Sequence, residues 1–163
     1  MSAINPITSD TRIAYRKDPE YVQLMSRQAY NDLRGWTVPE GEDPNDMGYL
    51  IRDTDPNSTR MSWMVREQFE EAYQLVLDAK PGTDPDWVLR LRAERTRYTK
   101  NLEKLIEMIR GPRFYLLPQD IQNALKAHRN GMEGMREITN YRIDYYEQVT
   151  AAASTTNPTN HTD

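Results

Sequence analysis

Two long stretches with apolar residues at helical spacing, 87–110 and 117–149, are broken once, at Arg110-Gly111-Pro112-Arg113. The first has a marked start: Asp84 suits an N-cap, Pro85 the first helical position, and Asp86 the positive end of the helix dipole. Leu91, Tyr98 and Leu105 then recur every seven residues, with Leu102 and Ile109 on the interleaved row, Val88 and Ile106 widening the stripe, and Arg95 as its one break. That spacing is a coiled-coil-like seam that another helix must cover. Gly111-Pro112 stops the helix, and Arg110 suits its negative end.

The second stretch opens at Leu117-Pro118 and carries Ile121, Leu125, His128, Met132, Met135, Ile138 and Tyr145 as its stripe, with small Ala124 and Gly131 alongside. A short connection between two long amphipathic helices favours an antiparallel pair. Each stripe is then covered on one side only, so the N-terminal half or a second copy must cover the rest, and a homo-oligomer is expected. Phe114, Leu116 and Leu117 would plug the end of the seam.

The N-terminal half is less regular. Residues 1–18 are polar and read as an arm, and residues 19–33 suit a short helix ended at Arg34-Gly35-Trp36. A run of breakers follows, from Pro39 to Gly48. Tyr49-Leu50-Ile51 reads as a strand paired with residues 60–64 across a turn-rich link, and residues 65–77 as a covering helix with Phe69, Ala72, Tyr73 and Val76 on one face. The resulting divisions are a flexible arm at 1–24, a small α+β module at 25–80, a helical hairpin at 84–149 and a disordered tail at 150–163. The fold class is mainly α: a long antiparallel helical hairpin preceded by a small α+β module.

At 163 residues, 28% of them charged, the chain has room for a thin core. Net charge is −4, which gives no general pull toward nucleic acid or an anionic membrane. Cysteine is absent, which excludes disulfides and thiolate chemistry. No apolar run approaches the ~18 residues of a membrane span, and residues 1–10 lack the pattern of a secretory signal.

Catalytic constellations are not found. No nucleophile elbow or phosphate-binding glycine loop occurs, and Glu70-Glu71 reads as a solubilising pair. His128 reads as a polar seam residue that fixes register, since a zinc site would need further ligands. Asp43, Asp46, Asp53 and Asp55 read as solvated turn residues, because the twelve-residue calcium pattern is missing. No cofactor and no metal is expected. Trp36, Tyr49, Trp63 and Phe69 are expected to pack as one aromatic mini-core. One candidate ligand site remains. Between Arg90 and Arg113 eight Lys or Arg stand against three Glu, and Arg90, Arg97 and Lys104 share a seven-residue row with Lys100 beside it. A phosphate-bearing ligand or a nucleic-acid backbone fits such a row, as does a face paired with the acidic N-terminal half.

Two stretches resemble sequences of small accessory proteins of tailed bacteriophages. Tyr30, Arg34-Gly35-Trp36, Pro39, Asp46, Gly48-Tyr49-Leu50, Ser62-Trp63 and Glu67 to Tyr73 resemble an entry segment that precedes phage domains sequestering cyclic-nucleotide-type immune signals. Those relatives carry Ser-Pro after the tryptophan, where this chain has Met64-Val65. Leu102, Leu105, Ile106, Phe114, Leu117-Pro118, Met132, Arg142 and Ile143 resemble a helical-hairpin family named after a crAss-like phage. The resemblance implies a non-enzymatic, anti-defence viral protein in the host cytoplasm that binds a host defence protein or nucleotide signal. The alternative it leaves is a structural component of the virion or its assembly.

Overall fold

The computed structural model describes residues 7–55 and 57–155 and divides the chain into two compact units, Met1–Ala93 and Glu94–Asp163. The first is built on a five-stranded antiparallel sheet, and this overturns the mainly α expectation: the protein is α+β. Strands β1 (Arg12–Tyr15), β2 (Pro19–Ser26), β3 (Met47–Asp53), β4 (Met61–Val65) and β5 (Gln74–Val76) lie in the order β4-β3-β2-β1-β5.

Three departures from the sequence reading build that sheet. β1 and most of β2 occupy the segment read as a flexible arm. β2 pairs with β3 along its length, from Glu20 opposite Asp53 to Ser26 opposite Met47. Its alternation is hard to see because both faces are used. Val22 enters a core with Ala14, Tyr49, Ile51 and Phe69, while Tyr21 packs against Ile13, Val76, Leu89 and Ala93 on the other side. The helix expected over 19–33 shrinks to α1 (Arg27–Arg34), started by the Ser26 hydroxyl, which accepts from the Ala29 N–H, and closed by Gly35 at φ 69°. The helix expected over 65–77 is α2 (Arg66–Ala72); Tyr73 turns extended, and β5 pairs with the outer edge of β1.

The β3–β4 pairing was expected, and it explains Gly48. A Cβ there would overlap the Met64 carbonyl oxygen and the Trp63 indole. The first unit is closed by the opening turns of α3 (Asp86–Arg110). Arg92, buried on that helix, donates from Nε to Asp84 Oδ2 at 2.8 Å and from Nη1 to Asp78 Oδ2 at 2.8 Å. Asp84 Oδ2 also accepts the Lys80 N–H at 2.9 Å, so one carboxylate ties the link before α3 to the helix itself.

The second unit holds the rest of α3, a 3-10 turn at Pro112–Leu116, and α4 (Gln119–Thr155). Phe114 is buried as expected of a plug, whereas Tyr115 and Leu116 are exposed. α4 continues to Thr155, past the point where a disordered tail was expected to begin, and the remainder of that tail lies outside the described residues. Its covered line runs through Leu125, Met132, Thr139, Ile143 and Tyr146, and Arg95 donates to Asn140 Oδ1 at 3.4 Å. Among the described residues no helix is long and apolar enough to cross a membrane.

Candidate functional site

The four aromatics expected to cluster fall into two groups, and strand parity is the reason. Leu50 stands opposite Trp63, and Tyr49 opposite Met64, so Tyr49 and Trp63 project from opposite faces of the sheet. On one face Tyr49 stacks on Phe69 with ring centroids 4.0 Å apart, and Phe69 on Tyr73 at 4.7 Å. Burial and a hydrogen bond to Glu20 push the Tyr73 phenol above its usual pKa, with Arg16 opposing.

Trp63 and Trp36 belong to a second set, assembled by α1. Tyr30 stacks on Trp63 at 6.5 Å and meets Trp36 edge-on at 6.3 Å. The Arg27 guanidinium lies 4.4 Å from the Trp63 ring centroid and also pairs with Glu42, while that of Arg34 lies 4.3 Å from the Trp36 centroid. Trp63 donates from Nε1 to the Met25 carbonyl at 3.4 Å, and Trp36 keeps 52% of its surface in water. Sequence reasoning named Tyr30 and Arg34 only within the phage resemblance and the end of a helix, not as part of an aromatic set, and did not reach Arg27. Their spacing of three and four on one helix was the available signal. These rings and guanidinium groups use one another as partners, which makes the set a packed corner of the module.

Arg52 was also missed. It is buried on β3 beside Tyr21, and burial lowers its guanidinium pKa while Tyr21 opposes. The aspartates weighed as a calcium loop do local work instead: Asp43, Asp53 and Asp55 each accept from the backbone N–H two residues on. No group of three or more His, Asp or Glu among the described residues is placed to hold a metal.

The basic row is distributed over both units. Arg90 belongs to the first, where it pairs with Asp86 one turn earlier. Arg97, Lys100 and Lys104 are exposed in the second. Arg97 lies over the Tyr98 ring at 5.4 Å, and Lys100 stands 3.9 Å from Glu103. An exposed ion pair such as Lys100–Glu103 is worth about 0–1 kcal/mol.

Among the described residues, several large exposed apolar side chains lie on α4. Of the stripe read from sequence as its inner face, Leu125 and Met132 are half-buried, whereas Ile121, His128, Met135, Ile138 and Tyr145 are exposed. Ile138 keeps 57% of its surface in water, Tyr141 72% and Tyr145 61%. His128 is likewise on the open side, so it does not fix register inside the unit. Few large apolar groups stand so far into water along one helix face without a partner to cover them. No known family model, curated protein or solved structure matches the chain.

Proposed function

We propose that this is a non-enzymatic bacteriophage accessory protein that acts by binding, with the open face of α4 as its binding surface. The phage setting and the host cytoplasm rest on the resemblance at Arg34-Gly35-Trp36, Gly48-Tyr49-Leu50 and Ser62-Trp63. The binding role rests on one observation: Ile138, Tyr141, Tyr145 and Val149 stand half or more in water on one side of a single helix. Covering apolar surface gains roughly 25 cal/mol per Å². A face rich in tyrosine, isoleucine and methionine matches the core of a protein interface better than a small-molecule pocket. Its sharpest form is sequestration of a host defence component.

Mass spectrometry separates this from the structural alternative. The accessory reading expects the protein in infected-cell lysate and not at a fixed copy number in purified virions; a fixed copy number assigns it to the particle or its assembly. A second reading is favoured by the exposure of Arg97, Lys100 and Lys104 on α3, which suits a phosphate-bearing signal. A ligand at a hundred times its dissociation constant adds about 2.7 kcal/mol of stability. A melting screen against cyclic and linear nucleotides decides it, and a flat screen removes nucleotide sequestration.

A further inference from the structure

α4 has two lines of apolar residues about 100° apart around its axis, the angle between successive residues. The covered line runs through Leu125, Met132, Thr139, Ile143 and Tyr146. The second begins one residue earlier in the repeat and holds Ala124, Gly131, Met135, Ile138, Tyr145 and Val149, alternating three and four when His128 and Arg142 are included. That is the spacing of a coiled-coil seam, and here it faces water.

Two glycines lie on or beside its N-terminal half, Gly131 on the seam and Gly134 next to it. A Cβ at Gly131 or Gly134 would meet nothing within 4 Å, so the fold of one chain requires neither. Each weakens a helix relative to alanine. Glycine on an apolar seam is useful where a large side chain or a second backbone must come close.

We propose that this seam is covered by the same seam of a second copy of the chain, the two α4 helices running antiparallel about a two-fold axis between residues 136 and 137. The proposal rests on the reading of the open α4 face as the binding surface, and it names the occupant. In that register Tyr141 lies over Gly134 of the other copy, Tyr145 beside its His128 and Val149 over its Ala124. The bulky C-terminal half of the seam thus meets the small N-terminal half. Charge agrees: residues 124–136 carry Lys126, Arg129 and Arg136 against Glu133, a net +2, and residues 137–149 carry Arg142 against Glu137, Asp144 and Glu147, a net −2. A parallel pair would set glycine on glycine, Arg142 on Arg142, and each charged half on its like.

The overlap of 26 residues is about 39 Å long and one helix, about 10 Å, wide. It buries on the order of 800 Å² in total, below the roughly 1,200–2,000 Å² of a stable complex. The dimer is therefore concentration-dependent, with a dissociation constant on the order of tens of micromolar.

Sedimentation equilibrium of the full chain between about 5 and 200 µM tests it. Wild type is expected to shift from monomer toward dimer, and Ile138→Lys with Tyr145→Lys to stay monomeric with unchanged far-ultraviolet circular dichroism. Because the chain lacks cysteine, orientation can be read from Ala127→Cys and Gln148→Cys single variants, mixed and oxidised. The antiparallel register expects the mixed 127–148 disulfide to exceed either symmetric one by about tenfold or more. A wild type monomeric at the top of the range, a dimer that survives the two lysines, or predominance of the symmetric disulfides overturns the proposal. For a monomeric wild type, the apolar dye ANS separates the two readings. Dye bound by wild type and lost in the lysine variant removes self-pairing but leaves a docking face; no dye response removes both.

Discussion

The two units spend their apolar residues in opposite ways. Among the described residues, twelve of the buried apolar side chains belong to the first unit and four to the second; of the large exposed ones, six and nine. A sheet has two faces, and here each finds cover within its own unit: Phe69 of α2 on one, Leu89 and Ala93 at the start of α3 on the other. A long helix has a whole circumference, and one neighbour covers a single line of it. The difference teaches where stability ends and association begins. The first unit can be complete alone, while the second carries more apolar surface than its own chain can hide.

That contrast can be broken most forcefully at Phe69, stacked between Tyr49 and Tyr73. Phe69→Ala is expected to cost about 3–5 kcal/mol. All three tryptophans, Trp36, Trp63 and Trp87, fall in the first unit, so their fluorescence reports its unfolding alone. The fluorescence midpoint in urea should drop while the helical circular dichroism of α4 persists; a matching drop in both would make the units one cooperative body. Next comes the buried ion pair. Asp84→Ala strands the Arg92 guanidinium, whose side chain is 3% exposed, and because Asp78 remains as a partner the loss should sit near 3 kcal/mol. Replacing Asp84 and Arg92 together by leucine should recover much of it, which a double-mutant comparison by denaturant titration would reveal.

Gly48→Ala forces a methyl against Trp63 and the Met64 carbonyl and is expected to cost about 1–3 kcal/mol, again in the fluorescence transition. Gly131→Ala sharpens the contrast from the other side. With open space around it, the methyl should raise helix stability by up to about 1 kcal/mol in thermal melts at low protein concentration, while weakening self-association. The smallest effect is expected at Arg97→Glu with Lys104→Glu. Both sites are exposed, so stability should move by less than about 0.5 kcal/mol, and a larger drop would mean these charges hold the fold.

Local chemistry made part of this fold readable. The start of α3 after Asp84-Pro85, its end before Gly111, and the β3–β4 pairing around a turn-rich link all rest on neighbours in sequence. β1 and β2 form a local hairpin, Tyr15 opposite Pro19, whose turn at 16–18 went unread, while β5 rests on a partner far along the chain, Val76 opposite Ile13, and no local pattern announces that contact. The same limit governed the sites. Tyr49 and Trp63 look alike in composition, and only the register of β3 against β4 sends them to opposite faces. On α4 hydrophobicity pointed only partly to the covered side: Leu125 and Met132 are half-buried as read, but half-buried Arg129 and Arg136 and buried Thr139 share the cover while Ile138 and Tyr145 stand in water. The phage resemblance carried a setting but no geometry.

The order of the strands has a consequence for how this protein behaves when crowded. The sheet ends in β5, three residues long, on one side and β4, five residues long, on the other. An edge is a template for backbone pairing in proportion to its run of free N–H and C=O groups, and short edges are among the ways natural sheets resist stacking into fibres. Each edge here offers a visiting strand only a few rungs. At high concentration the protein should therefore gather through side chains on a helix, reversibly, and not through strand polymerisation; clear solutions without thioflavin fluorescence after prolonged incubation are the expected sign.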